Sequence, residues 1–350
     1  MSDTRPSNAI QPASSRAISS PSGQPDGVKA RMTQGALEIA RSFLSVPRRT
    51  LHKVGDFEFC DLDYRQVCLW AEQFSMTPDD VVKMLVEMAF DEKLPPWFKE
   101  DKDRYRFSGF TVEDGHIKSL SWCFYETPRY AFQLLDGMHL EKLFLYGHNR
   151  SCLFNGGEVD LHLPVLEVLF CVDCEIITLD LSGMPLLEIV DCSGNKLVDL
   201  DLTHAYKLKK LSCCYNRISC LSLSPLPNLT YLNCGDNMLT RLDLTPAPNL
   251  VGLYCQGNQL TELDLEPVRK LHWLYCWGNQ LVALNLIYVP NLRLLYCFMN
   301  QLAELGLSAV PQLTDLWCPA NQLTELDIRP LKNLKELKVD DNVRIMGNRP

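Results

Sequence analysis

Along residues 166–343, apolar positions recur with a fixed period of 21 residues and alternate with polar ones over a short stretch of each period. Aligned on a cysteine, the period reads LxxLxCxxNxLxxLxLxxxPx. Its first position holds Leu166, Leu187, Leu208, Leu229, Leu250, Leu271, Leu292, Leu313 and Leu334. Its second holds Leu169, Val190, Leu211, Leu232, Leu253, Leu274, Leu295, Leu316 and Leu337. Cys171, Cys192, Cys213, Cys234, Cys255, Cys276, Cys297 and Cys318 follow, with Val339 in the ninth place. The period-two alternation around LxC predicts a short strand with leucine and cysteine pointing inward. One such unit cannot bury its own apolar face, so stacked copies are expected to share a continuous core beneath a parallel sheet.

Three residues after the cysteine come Asn195, Asn216, Asn237, Asn258, Asn279, Asn300, Asn321 and Asn342, with Cys174 breaking the column. Main-chain polar atoms buried at a tight turn need partners, so these amides are expected to bond backbone groups of their own and the neighbouring repeat. Pro185, Pro227, Pro248, Pro290 and Pro311 fall on the return segment, where a fixed φ suits extended or turn backbone.

The pattern resembles the leucine-rich repeat family, and within it the bacterial 21-residue cysteine-ladder type of internalin J-like proteins. The resemblance covers about residues 166–343. It implies an α/β repeat solenoid, a horseshoe with a parallel β-sheet on its concave face. Irregular copies at Leu140-Glu141-Lys142-Leu143-Phe144-Leu145 and Ile117-Lys118-Ser119-Leu120-Ser121-Trp122 make residues 116–165 atypical first repeats. The C-terminal tail is residues 344–350.

Residues 56–115 read as a small helical domain or cap. Thr77 is placed to be an N-cap, with Pro78 at the first helical position and Asp80 at the third, ahead of Val81, Val82, Met84, Leu85 and Met88. A second helix is expected over about Tyr64–Gln73. Residues 1–55 form a leader, of which residues 1–28 hold seven Ser and four Pro and too little apolar surface to offset ordering entropy. A basic stretch follows, with Leu37, Ala40, Phe43 and Leu44 on one helical face. The Ser-rich, acid-poor leader resembles the N-terminal secretion signal of type III effectors of Gram-negative bacteria.

Charge is uneven over the 350 residues: residues 1–55 carry 8 Lys/Arg against 3 Asp/Glu, and the remainder 26 against 40. The acidic body lacks the clustered cations that nucleic acid requires, so nucleic acid is not an expected partner. With no run of about 18 apolar residues, no membrane span is expected either. The 15 cysteines belong mainly to the structural period, which points away from a disulfide or zinc framework and towards a reducing compartment.

Candidate chemistry is sparse. Cys171-Val172-Asp173-Cys174 is a lone CxxC, and the Cys-x-Asp matches at Cys171/Asp173 and Cys234/Asp236 fall on ladder positions, where burial raises a thiol pKa. The seven histidines share no column, and Cys60 and Cys68 have no basic partner nearby in sequence. No catalytic residue, metal or cofactor is expected.

Binding is expected on the outward strand positions. In the repeats centred on Cys255 to Cys318 these are Gly252, Tyr254, Gln256, Trp273, Tyr275, Trp277, Leu294, Tyr296, Phe298, Asp315, Trp317 and Pro319. Seven of these twelve are aromatic, against 9% of the whole chain. At roughly 150–250 Å² each they offer up to about 1,000 Å², approaching one side of a standard protein interface. Tyr231 and Tyr215 extend the surface, and Asp315, Asp236, Lys338, Asp340 and Glu336 form a polar rim. An alternative is that Tyr254, Tyr275, Tyr296 and Trp317 stack only to stabilise the sheet.

These features imply a non-enzymatic protein-binding module, exported from the bacterial cytoplasm by a type III system to engage a host protein. One alternative makes it the substrate-binding arm of a ubiquitin ligase or similar transferase, with activity in residues 56–115 or in a recruited partner. A second uses the aromatics as a carbohydrate-stacking platform.

Overall fold

The computed structural model describes residues 50–87, 110–124, 135, 137–147 and 157–348. The leader, with its secretion-signal resemblance and helical face, lies outside the described residues apart from 50–55, as do Met88 and residues 349–350.

Strands β1 (His52–Val54) and β2 (Phe57–Phe59) form an antiparallel hairpin that turns at Gly55, whose φ is 57°. Helix α1 (Asp61–Phe74) follows, longer at its start than the expected Tyr64–Gln73. It buries Asp63, Gln66, Val67, Trp70 and Ala71, the spacing of one helical face. Ser75, at φ 54°, ends it in a left-handed turn whose amide donates back to Glu72 O at 3.2 Å.

Helix α2 (Pro78–Glu87) begins as its sequence requires. The Thr77 hydroxyl accepts the Asp80 amide at 3.2 Å, while the Asp80 carboxylate accepts the Thr77 amide at 3.3 Å, a reciprocal capping box. Val81, Val82 and Leu85 are its buried face. The segment is thus a helix pair plus strands, a content that the helical reading alone did not include.

Strand β3 (Phe110–Glu113) pairs antiparallel with β4 (His116–Phe124) across Asp114 and Gly115, both at positive φ, as a two-residue hairpin turn demands. Strand β4 then pairs in parallel with β5 (Lys142–Gly147), so both irregular copies seen in the sequence are sheet strands. The sheet continues through β7 (Val168–Val172), β9 (Ile189–Asp191), β10 (Lys210–Ser212), β11 (Tyr231–Asn233), β12 (Gly252–Tyr254), β13 (Trp273–Tyr275), β14 (Leu294–Tyr296), β15 (Asp315–Trp317) and β17 (Glu336–Lys338). From β9 to β17 each residue pairs with the one 21 positions on, as Leu253 does with Leu274 and Leu274 with Leu295. Two small parallel pairs lie outside this sheet: β6 (Glu158–Asp160) with β8 (Thr178–Asp180), and β16 (Glu325–Asp327) with β18 (Arg344–Met346). The five return-segment prolines all sit in turns.

The core is the column of leucines and cysteines. Leu274, Cys276, Leu295 and Cys297 are fully buried, as are their counterparts from Leu187 to Cys318. From Asn195 to Asn321 each ladder asparagine closes its turn as expected. Asn258 Nδ2 donates to Cys234 O at 3.0 Å in the preceding coil and to Cys255 O at 3.2 Å in its own, while Oδ1 accepts the Leu239 amide at 2.9 Å. Cys174, in the same column, substitutes a thiol that reaches Leu145 O at 3.5 Å and Val172 O at 3.2 Å. Asn342 departs from the column: it is exposed, because the chain leaves the period there to form β18. Leu334, Leu337 and Val339 are correspondingly only half-buried.

Candidate binding face

Alternation along each strand sends Leu274 and Cys276 into the core and leaves Trp273, Tyr275 and Trp277 on the outer face, half-buried. In-register parallel pairing places equivalent residues of adjacent coils about 4.8 Å apart, the separation at which aromatic rings stack. Tyr254 and Tyr275 stack with centroids 4.3 Å apart and planes at 12°. Tyr275 meets Tyr296 edge-on at 4.8 Å, and Tyr296 stacks on Trp317 at 4.3 Å and 13°. A second row runs beside the first, with Trp277 on Phe298 at 5.0 Å and 5° and Phe298 touching Trp317 at 6.4 Å. Trp273 pairs in register with Leu294.

Gly252 makes room for this closure. A Cβ there would lie 3.3 Å from Trp273 Cε3 and from Tyr231 Cδ2, and 3.4 Å from Tyr254 Cε2. Six of the seven expected aromatics thus share two contacting rows, and Trp273 flanks them. The rings cover part of one another, so the accessible area is smaller than the sum of isolated side chains. Tyr231 is buried and tilts against Tyr254 at 4.9 Å, whereas Tyr215 is 64% exposed and apart from the rows.

The face is uncharged at its centre. Burial raises the phenol pKa values of Tyr231, Tyr275 and Tyr296 above the ordinary value, so all three stay neutral. At the C-terminal edge Lys338 Nζ sits 3.3 Å above the Trp317 ring and 3.7 Å from Glu336 Oε1. Asp340 is tied to the backbone, accepting the Ala320 amide at 2.8 Å. Towards the N-terminus the outer face becomes a buried apolar cluster of Phe144, Val168, Phe170 and Ile189. Between that cluster and the aromatics lies a buried polar patch. There the Ser193 hydroxyl donates to Asp191 at 2.5 Å and lies 2.8 Å from that of Ser212.

Both Cys-x-Asp matches fall on buried ladder positions. Cys171 and Cys234 are buried, and desolvation, with neighbouring thiols adding to it, holds both well above the ordinary thiol pKa. All thirteen cysteines whose side chains are described are free.

One cluster escaped the sequence. Cys60 Sγ lies 3.3 Å from His116 Nδ1, supplying the basic neighbour absent from the local sequence. The same nitrogen is 3.5 Å from Asp63 Oδ2, which also accepts the Ile117 amide at 2.6 Å. Burial raises the Asp63 carboxyl pKa against the lowering effects of that amide and of His116 and His139. The His139 ring stands 4.5 Å from that of His116. No local spacing announces residues 56 positions apart in the chain.

No protein-family model and no curated protein matches the chain. Among solved structures, the functional domain of InlJ from Listeria monocytogenes, which includes a cysteine ladder, matches at 27% identity and a TM-score of 0.55. The match covers 67% of this chain and 54% of that one, so the chain spans about half the length of the InlJ structure. A leucine-rich-repeat protein of Leptospira interrogans matches at 23% identity and TM-score 0.48, covering 59% of this chain and 62% of that one. YopM of Yersinia enterocolitica matches at 26% and 0.47, covering 59% and 51%. With its 21-residue coils and buried cysteine column, the chain is a leucine-rich-repeat solenoid of the cysteine-ladder type.

Proposed function

We propose that this leucine-rich-repeat solenoid is a non-enzymatic protein-binding module and that the outer face of β12–β15 is its recognition surface. The observation that carries the reading is the run of Tyr254, Trp273, Tyr275, Trp277, Tyr296, Phe298 and Trp317, each half-buried and together spread across four adjacent coils. Large aromatic side chains held rigid by their neighbours lose little entropy on binding and dominate interface energies. Charges at Asp315, Glu336 and Lys338 set orientation at one edge. Ring-on-ring stacking occupies many of the faces that a sugar would need, which favours a protein partner over a glycan.

The test compares recovery of binding proteins from a eukaryotic lysate by wild type and by Trp273→Ala/Trp277→Ala/Trp317→Ala, with circular dichroism matched between the two. The reading expects a specific protein to be lost at least about tenfold in the folded variant. Equal recovery, or binding on a glycan array with no protein partner, would contradict it.

The finer reading is that the partner is a host protein reached by type III export. The Ser-rich leader and the free buried thiols support it. No helix among the described residues is long and apolar enough to cross a membrane. A reporter fused to residues 1–55 should enter host cells from a type III-competent bacterium and fail to do so from a secretion-null strain. Equal entry from both strains would refute that route.

A further inference from the structure

Three potential metal ligands of different chemistry converge where the N-terminal segment meets the first long strand of the sheet. Cys60 precedes α1, Asp63 lies in its first turn, and His116 opens β4. One donor atom from each lies within 4.8 Å of the other two. Two separations, 3.3 Å between Sγ and Nδ1 and 3.5 Å between Nδ1 and Oδ2, can be compared with a coordination tetrahedron. Zinc bonds of about 2.3 Å to sulfur and about 2.0–2.1 Å to nitrogen or oxygen, at tetrahedral angles, put donor atoms roughly 3.3–3.6 Å apart. Two of the three donor separations therefore already stand near the edge lengths of a zinc site, and the third is within 4.8 Å.

A second observation points the same way. Asp63 is fully buried, and its Oδ1 has no hydrogen-bond partner. A buried carboxylate is costly, and a cation in the cluster would offset its charge through Oδ2 and, where both carboxylate oxygens bind it, would give Oδ1 the partner it lacks. The cluster is not sealed: His116 keeps 12% side-chain exposure, and the exposed His139 ring stands 4.5 Å from that of His116, which leaves a metal an entry path.

We propose that Cys60, Asp63 and His116 bind one zinc ion, with water completing the tetrahedron. Binding displaces the Cys60 thiol proton to solvent and ties the start of α1 to the start of β4. The thiol and the carboxylate approach the same ring nitrogen, whereas a thiolate–imidazole–carboxylate relay uses opposite nitrogens. A structural metal site accounts for that geometry and a catalytic relay does not.

The test uses the full chain, stripped of metal with a chelator under a non-thiol reductant and titrated with cobalt(II). One equivalent should produce a thiolate-to-cobalt charge-transfer band, which one equivalent of zinc should abolish. Cys60→Ser should lose the band while Cys220→Ser, at an exposed cysteine outside the cluster, keeps it. Asp63→Asn, with circular dichroism unchanged, should weaken zinc binding by more than the roughly 10–100-fold that loss of an outer-shell partner costs. Should Cys60→Ser fail to fold, Asp63→Asn decides. Absence of the band from wild type, its persistence in folded Cys60→Ser, or unchanged affinity in Asp63→Asn would overturn the proposal.

Discussion

Asn258 sits where four main-chain groups converge: its amide donates to Cys234 O, Cys255 O and Gln256 O, and its oxygen accepts the Leu239 amide. Asn258→Ala strands these groups in the interior and should cost about 2–4 kcal/mol, read by denaturant unfolding. Asn342→Ala, at the exposed end of the column, should stay within about 0.5 kcal/mol. An equal cost at both positions would show that the ladder bonds do not hold the turns. Asp191 supplies a pH test. Burial, partly offset by hydrogen bonds from Ser193, raises its carboxyl from 3.8 to about 6. Between those values the folded chain holds a proton that the unfolded chain has released, so stability falls as pH rises through this window. The fall amounts to about 3 kcal/mol at most, and Asp191→Asn should flatten the pH 4–6 stability profile relative to wild type. The asparagine column was legible because each coil repeats the same turn. Asp191 was not, because its burial depends on residues far away in sequence.

At the scale of elements, local rules succeeded where the chain pairs with itself nearby. The Thr77–Asp80 capping box was readable residue by residue, and Thr77→Ala should cost about 1 kcal/mol by thermal unfolding. No measurable loss would place the helix start under tertiary control instead. The hairpins were missed although their signals are present: Asp114-Gly115 is a strong two-residue turn pair, and Gly55 punctuates alternating three-residue strands. Strands this short carry little periodicity beside the helices that follow. The aromatic rows were visible as an excess at outward positions, and the register that stacks them follows from the invariant 21-residue period. Which rings lie flat and which meet edge-on depends on rotamers that no period fixes.

Over the whole molecule, stability should follow nearest-neighbour stacking, because each coil touches mainly the coils before and after it. Leu274→Ala, fully buried between two coils, should cost about 2–5 kcal/mol, whereas Leu337→Ala in the half-buried last coil should cost markedly less, both measured by denaturant unfolding. The sheet runs unbroken from the antiparallel β3 at one end to β17 at the other, with an apolar cluster on the outer face of β5–β9 and the aromatic rows on that of β12–β15. If that face is the working surface, a partner must touch it. A photo-crosslinking residue at position 298, within the stacked rows, and at 287, 63% exposed on a return turn, separates this account from its rivals in one experiment. The account predicts a discrete protein adduct from position 298 and none from 287. Adducts from 287 alone, or equally from both, would contradict recognition through the aromatic face.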